Sequence, residues 1–313
     1  MTKTERVRRA LAGEAVDRPP FSIWFHFGTQ HLPPSKTAAI HLDFFRAYDL
    51  DWLKVMSDYR YPMPDGMEEV ASLADLRRFR RFEMDSEPFS LQLQVLRQIG
   101  AALGNEAPFV ETVFSPFGVA RRTLRGHMDR LRREYPDAFK TFLESVTETL
   151  RHYVRAVAQT GAAGVFFSVN GAGQGEMKER DFEEWVLPYD LAVLATVNEL
   201  AREGRFYFNV IHIHGERLRW RLIMDQYPGQ VFNWSVHHSP PSFAQARLFT
   251  PRPLMGGIDE VGLSSKTPSE VRHQVRTAIE QAGAAGLFIA PGCAVPTDVP
   301  ADLIRAAAQA CRA

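Results

Sequence analysis

The chain has 313 residues, with 37 Lys plus Arg against 37 Asp plus Glu, so its formal net charge of zero offers no global field to hold nucleic acid or an anionic membrane. A hydrophobic fraction of 45% and a charged fraction of 24% supply a large core and argue against disorder. The two cysteines, Cys293 and Cys311, are too few for a disulfide framework and fit a reducing compartment.

The basic start reaches Glu14 and Asp17 without the apolar run of a signal peptide, and no window approaches the roughly 18 consecutive apolar residues of a membrane span. The expected location is the cytoplasm. A short helix pattern near Thr4 to Gly13 ends before Pro19-Pro20, which breaks the chain and releases the apolar run Phe21 to Phe27, the first strand candidate. Further strand candidates are Asp51 to Ser57, Pro108 to Ser115, Ala163 to Asn170, Arg205 to His214, Val231 to Val236, Pro253 to Ile258 and Leu287 to Ala290. Helical periodicity separates most of them and is clearest over Tyr135 to Thr160, Glu179 to Arg202 and Pro268 to Gln281. The last begins Thr267-Pro268-Ser269-Glu270, an N-cap hydroxyl followed by proline at the first helical position and acid in the first turn.

About eight strands alternating with helices predict an α/β protein: one (β/α)8 TIM-barrel domain over residues 1–313, with a short N-terminal helical extension. An open doubly wound sheet is the competing arrangement. It is weakened because no G-x-G-x-x-G follows the first strand and no P-loop is present. Gly171 to Gly175 follows a strand with the wrong spacing for a dinucleotide fingerprint and reads as a βα loop.

In a barrel, reactive groups lie at the carboxyl ends of the strands. That rule selects His26 and Gln30 after the first candidate, Asp58 after the second, and Ser115 and Arg121 after the third. Ser168 and Asn170 follow the fourth, His212, His214 and Glu216 the fifth, His237 and His238 the sixth, Asp259 and Glu260 the seventh, and Cys293 the eighth. Because strand side chains alternate, His212 and His214 point the same way. Two imidazoles and a thiolate, each at a strand end, would make a three-ligand zinc site with one position open. The competing reading is a packed histidine pair and a buried apolar Cys293. Glu216 is either a partner of that site or a solvated acid in the next helix turn, where the dipole favours it. Cys311, in the last turn of a terminal helix, reads as a packing residue.

These residues, in this order, resemble the uroporphyrinogen decarboxylase superfamily, which also contains zinc-dependent methyltransferases that work with corrinoid proteins. The resemblance spans nearly the whole chain. It rests on Asp17-Arg18-Pro19-Pro20, Leu32-Pro33, Val55-Met56-Ser57-Asp58, Phe182 to Tyr189 (FEEWVLPY), His212-Ile213-His214-Gly215, Met255 to Asp259 (MGGID) before the Thr267-Pro268 helix start, and Pro291-Gly292-Cys293 with Pro296 and Pro300. The true decarboxylases grip the acidic side chains of their tetrapyrrole with two arginines of an R-Q-A-G-R-Y-L-P motif, and those positions here are His26 and Gln30. Neither supplies a permanent charge to an octacarboxylate. The family's pyrrole-binding carboxylate matches Asp58, while its late G-H-G histidine is replaced by Cys293. The methyltransferase branch, with H-x-C-G on the fifth strand and a late G-C motif, matches at His212 and Cys293, with His214 in place of the middle cysteine. Histidine is an ordinary zinc ligand, and the less negative set favours a harder substrate atom than thiolate sulfur.

The resemblance implies a zinc-dependent methyl transfer on a corrinoid or small methylated substrate, with a corrinoid protein as partner. The alternatives are cofactor-free decarboxylation centred on Asp58 and a non-catalytic binding barrel. Asp58 and His26 are the acid–base candidates, and partial burial would raise the Asp58 pKa. Gln30, Ser168, Asn170, His237 and Arg121 are candidate substrate contacts. Phe and Trp near the rim suit a partly apolar pocket. Oligomeric state is left open, a homodimer included.

Overall fold

The computed structural model describes residues 1–312. In chain order it contains α1 (Lys3–Leu11), α2 (Pro34–Ala47), β1 (Leu53–Val55), α3 (Leu73–Leu76), α4 (Phe89–Leu103), β2 (Phe109–Phe114), α5 (Pro116–Leu124), α6 (Met128–Glu134), α7 (Pro136–Val157) and β3 (Gly164–Val169). There follow α8 (Glu179–Trp185), α9 (Leu187–Arg202), β4 (Val210–Ile213), α10 (Trp220–Gln226), β5 (Val231–Asn233), α11 (Phe243–Arg247), β6 (Leu254–Ile258), α12 (Pro268–Ala282), β7 (Leu287–Pro291) and α13 (Ala301–Ala310). The seven strands pair in sequence order, and every pair is parallel. The curled sheet with helices outside is the (β/α) barrel that the alternating pattern predicts.

The eighth staves position is filled differently from expectation. Phe21 to Phe27 does not form a regular strand. Only Phe21 bridges to Ile289. Pro19 and Pro20 have no N–H to give to a ladder. What remains still closes the sheet, because Ile289 N–H donates to Pro20 O at 2.9 Å, Ser22 N–H to Ile289 O at 3.1 Å, and Asp51 N–H to Phe21 O at 2.9 Å. The segment thus lies between β7 and β1 and joins them.

Asp51 explains why β1 is shorter than its apolar pattern. Its fully buried carboxylate accepts from Arg6 Nη1 at 2.7 Å, Arg18 Nη1 at 2.6 Å and Phe21 N–H at 2.8 Å. This ties α1 to the amino-terminal end of the barrel. A polar residue shortens β4 in the same way. Asn209 Oδ1 accepts from Val165 N–H at 3.1 Å, and the N–H groups of Tyr207 and Phe208 share the Ala163 carbonyl, so the ladder begins at Val210. The helix predicted over Glu179 to Arg202 is two helices broken at Val186, since Pro188 has no N–H and its ring excludes a straight path over the preceding turn.

Alternation sorts the side chains into two cores. Trp52, Val110, Phe166, Phe208, Val210, Val231, Met255, Phe288 and Ala290 fill the barrel interior with Trp24 and Met56. The opposite strand faces, with Val55, Val113, Phe167, Ile211, Phe232 and Ile289 among them, pack against the helices. Burying a large apolar side chain is worth about 1.5–3 kcal/mol, so these two layers hold the scaffold on which the strand ends are mounted.

Candidate metal centre and its cavity

His212 lies on the inward face of β4, level with Ser168 on β3 and Asn233 on β5. Its Nδ1 is 2.7 Å from Asn233 Oδ1. Asn233 is fully buried and donates its amide hydrogens to the carbonyls of Met255 and Pro291, each at 3.1 Å. An amide held that way has only its oxygen left for histidine, so it accepts the Nδ1–H and leaves the lone pair of His212 on Nε2. Burial, reinforced by the adjacent His214, pushes the His212 pKa down to about 3, against the opposing hydrogen bond that it donates to Asn233. The ring is therefore neutral at any ordinary pH. Phe166 stacks on it at 5.2 Å between centroids.

His41 provides an internal contrast. Its Nδ1 meets Thr37 O at 2.9 Å and its Nε2 accepts from Met56 N–H at 3.2 Å, so both nitrogens are used up in packing. His212 Nε2 has no hydrogen-bond partner among the described residues.

His214 follows two residues on, and its Nδ1 is 3.9 Å from Cys293 Sγ. Burial lowers its pKa, while Glu176 and Glu260 pull the other way. Cys293 comes from the loop after β7. Gly292 precedes it and passes so close to Ser235 that a Cβ there would sit 2.4 Å from the Ser235 Cα; its N–H donates to Glu260 Oε2 at 3.0 Å. Burial pushes the Cys293 thiol up, so without a cation it keeps its proton. One donor atom from each of His212, His214 and Cys293 falls within 4.8 Å of the others. A tetrahedral zinc with ordinary bond lengths needs ligand separations of about 3.3–3.6 Å, so the widest pair would have to close by no more than about 1.5 Å, shared between two side chains. The fixed His212 tautomer, the neutral His214 and a thiol whose proton a cation can displace all fit a zinc ion.

The three side chains line a cavity of about 320 Å³ at the carboxyl ends of the strands, together with Trp24, Lys54, Phe166 and Ser168. A larger cavity of about 460 Å³ lies beside it, outside the barrel, against Tyr61, Phe89 and Tyr153. Thr112, Phe114 and Arg122 border both. Size alone would favour the outer one. The candidate metal ligands lie in the inner one, where the strand ends converge.

The other sequence candidates divide. His26, Ser168, Asn170 and Arg121 all line the inner cavity. Asn170 Oδ1 is buried without a hydrogen-bond partner among the described residues, and Arg121 Nη1 pairs with Glu176 Oε2 at 2.8 Å. Asp58 stands behind His26, with Oδ1 2.7 Å from His26 Nδ1 and Oδ2 accepting the Gly28 N–H at 2.9 Å. Burial alone would raise its pKa, as the sequence led one to expect, but the two hydrogen bonds outweigh it and the pKa is lowered. Asp58 is thus an ionised partner of His26 rather than a poised acid. Gln30 is exposed and away from the cavity lining. His237 is also exposed and turns its Nε2 to Gly257 O at 3.0 Å, so the structure does not bring it to the cavity. Glu216 is exposed before α10; the acids whose charge acts on His214 are Glu176, on the loop after β3, and Glu260.

Two residues escaped the sequence reading. Asn233 and Lys54 both sit in apolar strand runs, and both point inward. A lone polar side chain at an inward position of a buried strand was the available signal.

Against known proteins, the family model described as Uroporphyrinogen decarboxylase (URO-D) matches residues 56–313. Uroporphyrinogen decarboxylase of Crocosphaera subtropica (strain ATCC 51142 / BH68) is 22% identical over 342 residues, covering 96% of this chain and 94% of its own. That of Synechococcus sp. (strain JA-3-3Ab) is 23% identical over 337 residues, with 95% and 89% covered. Among solved structures, a methyltransferase from Methanosarcina mazei superposes with a TM-score of 0.78 at 16% identity over 99% of this chain and 98% of that one. A B12-independent methionine synthase from Shewanella sp. W3-18-1, in complex with selenomethionine, gives 0.59 at 13% identity, over 94% and 91%. At such identity the structural likeness establishes the fold. With the family model covering most of its length, from the end of β1 onward, the chain belongs to the uroporphyrinogen decarboxylase family.

Proposed function

We propose that this protein is a zinc-dependent methyltransferase that acts on a small methylated substrate, with a corrinoid protein as its methyl-exchanging partner. The observation that supports this most is the His212–Asn233 pair, which presents an unprotonated Nε2 beside His214 and Cys293. Held by His212, His214 and Cys293, zinc would act as a Lewis acid that lowers the pKa of a coordinated thiol, hydroxyl or water. The protein's own part is to keep both imidazoles neutral, to release the Cys293 proton, and to wall the site with Trp24 and Phe166. Ser168 and Asn170, which line the cavity, are groups that would orient a substrate. A cavity of about 320 Å³ lies near the lower limit for small-molecule sites, and with His26 and Gln30 where the decarboxylases hold arginines it suits a small ligand better than an octacarboxylate macrocycle.

A second reading, decarboxylation centred on Asp58, has in its favour the decarboxylase relatives and the His26–Asp58 pair. The two separate in one experiment. Methyl transfer to free or protein-bound corrinoid from small methylated donors is assayed before and after chelation, alongside uroporphyrinogen turnover. The proposal expects methyl transfer that chelator abolishes and zinc restores. Chelator-indifferent decarboxylation would replace it with the second reading.

A further inference from the structure

Among the described residues, no acidic side chain comes within ion-pair or hydrogen-bond distance of the Lys54 amino group, which lies inside the barrel. Lys54 is 3% exposed, on the inward face of β1. Its Nζ lies 2.6 Å from Met56 Sδ, its only hydrogen-bond partner among the described residues. Two ring faces complete its surroundings, Phe166 at 4.5 Å and Trp24 at 5.3 Å to the centroids. A thioether is a weak acceptor and π faces replace only part of an ammonium's hydration, so the donors of this group are left largely unfilled. It also lines the cavity that holds His212, His214 and Cys293. The same Phe166 ring that carries the ammonium stacks on His212, which fixes the cation one aromatic ring away from the candidate metal ligand.

We propose that Lys54 is the anchor for a carboxylate of the substrate, held deep in the cavity by the ammonium while the rest of the molecule reaches the His212/His214/Cys293 site. This rests on the preceding reading of that site and names its substrate class, a small carboxylic acid. A carboxylate fits better than a phosphate. Of the arginines that line the cavity, Arg121 is already paired with Glu176 and Arg122 stacks on Phe114 at 4.2 Å. One ammonium in an aromatic collar matches one negative charge on an apolar body, whereas a phosphate dianion calls for several converging donors.

The test is binding of a series of monocarboxylates from acetate to benzoate, with neutral benzamide as control, measured by calorimetry on wild type and on Lys54→Met, Lys54→Gln and Cys293→Ser. The metal content of each protein is determined in parallel. The expected result is saturable binding of at least one carboxylate to wild type, none of benzamide, and a loss of about tenfold or more in both Lys54 variants. Cys293→Ser is expected to lose metal and keep the carboxylate. Equal affinity in wild type and the Lys54 variants would overturn the anchor, as would the absence of any carboxylate binding. Binding lost in Cys293→Ser but kept in Lys54→Met would also overturn it, by assigning the anion to the metal. Wild type without zinc but with Lys54-dependent binding would keep the anchor and sink the zinc reading.

Discussion

Replacing Lys54 by Met should make this protein more stable, and more so at neutral than at alkaline pH. Burial pulls the Lys54 pKa from an ordinary 10.5 down to about 7, against weaker upward pulls from Cys293, Glu111 and Asp58. That displacement corresponds to about 5 kcal/mol of disfavoured ammonium. The unfolded chain binds the proton more tightly than the folded one between these two values, so the penalty is full below about pH 7 and is relieved as pH rises towards 10.5. Met is unbranched, similar in length and at home against Trp24 and Phe166, so the swap removes the charge with little change in packing. Urea unfolding of the two proteins at matched metal content should show Lys54→Met more stable by up to about 4 kcal/mol near pH 7, an advantage that shrinks by about 3 kcal/mol by about pH 9.5. A destabilised variant, or an advantage that does not change with pH, would refute the reasoning. Together with the loss of carboxylate binding, the expected gain marks Lys54 as a residue kept for function at the expense of stability.

Glu111, on the outward face of β2, gives a pH effect of opposite sign. Burial raises its pKa to about 8 against hydrogen bonds from Tyr153 at 2.7 Å and Gln92 at 3.0 Å. The folded state then binds the proton more tightly than the unfolded state from about pH 4.5 to 8, so stability falls as pH rises through that window. Glu111→Gln should flatten the dependence, removing about 2–3 kcal/mol of the decline between about pH 5 and pH 7; an unchanged slope in unfolding curves would contradict the assignment. Asn233→Ala should weaken zinc affinity by about 10–100-fold in chelator competition, because His212 loses the acceptor that fixes its tautomer. Unaltered affinity in a folded variant would show that Asn233 does not orient the ligand.

The barrel was legible because its βα rhythm is written in hydrophobic periodicity and in prolines and glycines at element ends. Errors arose where one polar residue outranked the pattern. Asp51 collects two arginines and a backbone N–H, and Asn209 satisfies neighbouring backbone groups, so the strands at these places start later than their apolar runs. Proline decided two more cases. Pro19 and Pro20 reduced the first strand to a bridge, and Pro188 split a helix whose periodicity runs on undisturbed. At the site, His-x-His could be read because alternation alone puts both rings on one face. The residues that give those rings their chemistry could not. Asn233 acts through carbonyls of two other strands, Glu176 arrives on a loop, and Lys54 is meaningful only because, among the described residues, no acceptor from another strand comes to meet it. Asp58 is the converse case: it was visible in sequence, but its ionised state is set by His26 and the Gly28 N–H, contacts made only by the folded loop.

The most direct test of the central claim is the zinc content of protein purified without chelator, measured by plasma emission on wild type, His212→Ala, His214→Ala and Cys293→Ser, with circular dichroism to verify folding. Close to one zinc per wild-type chain is expected, with a large loss in each folded variant. A wild-type protein that neither retains zinc nor takes it up when supplied, or folded variants that all keep full occupancy, would contradict the claim.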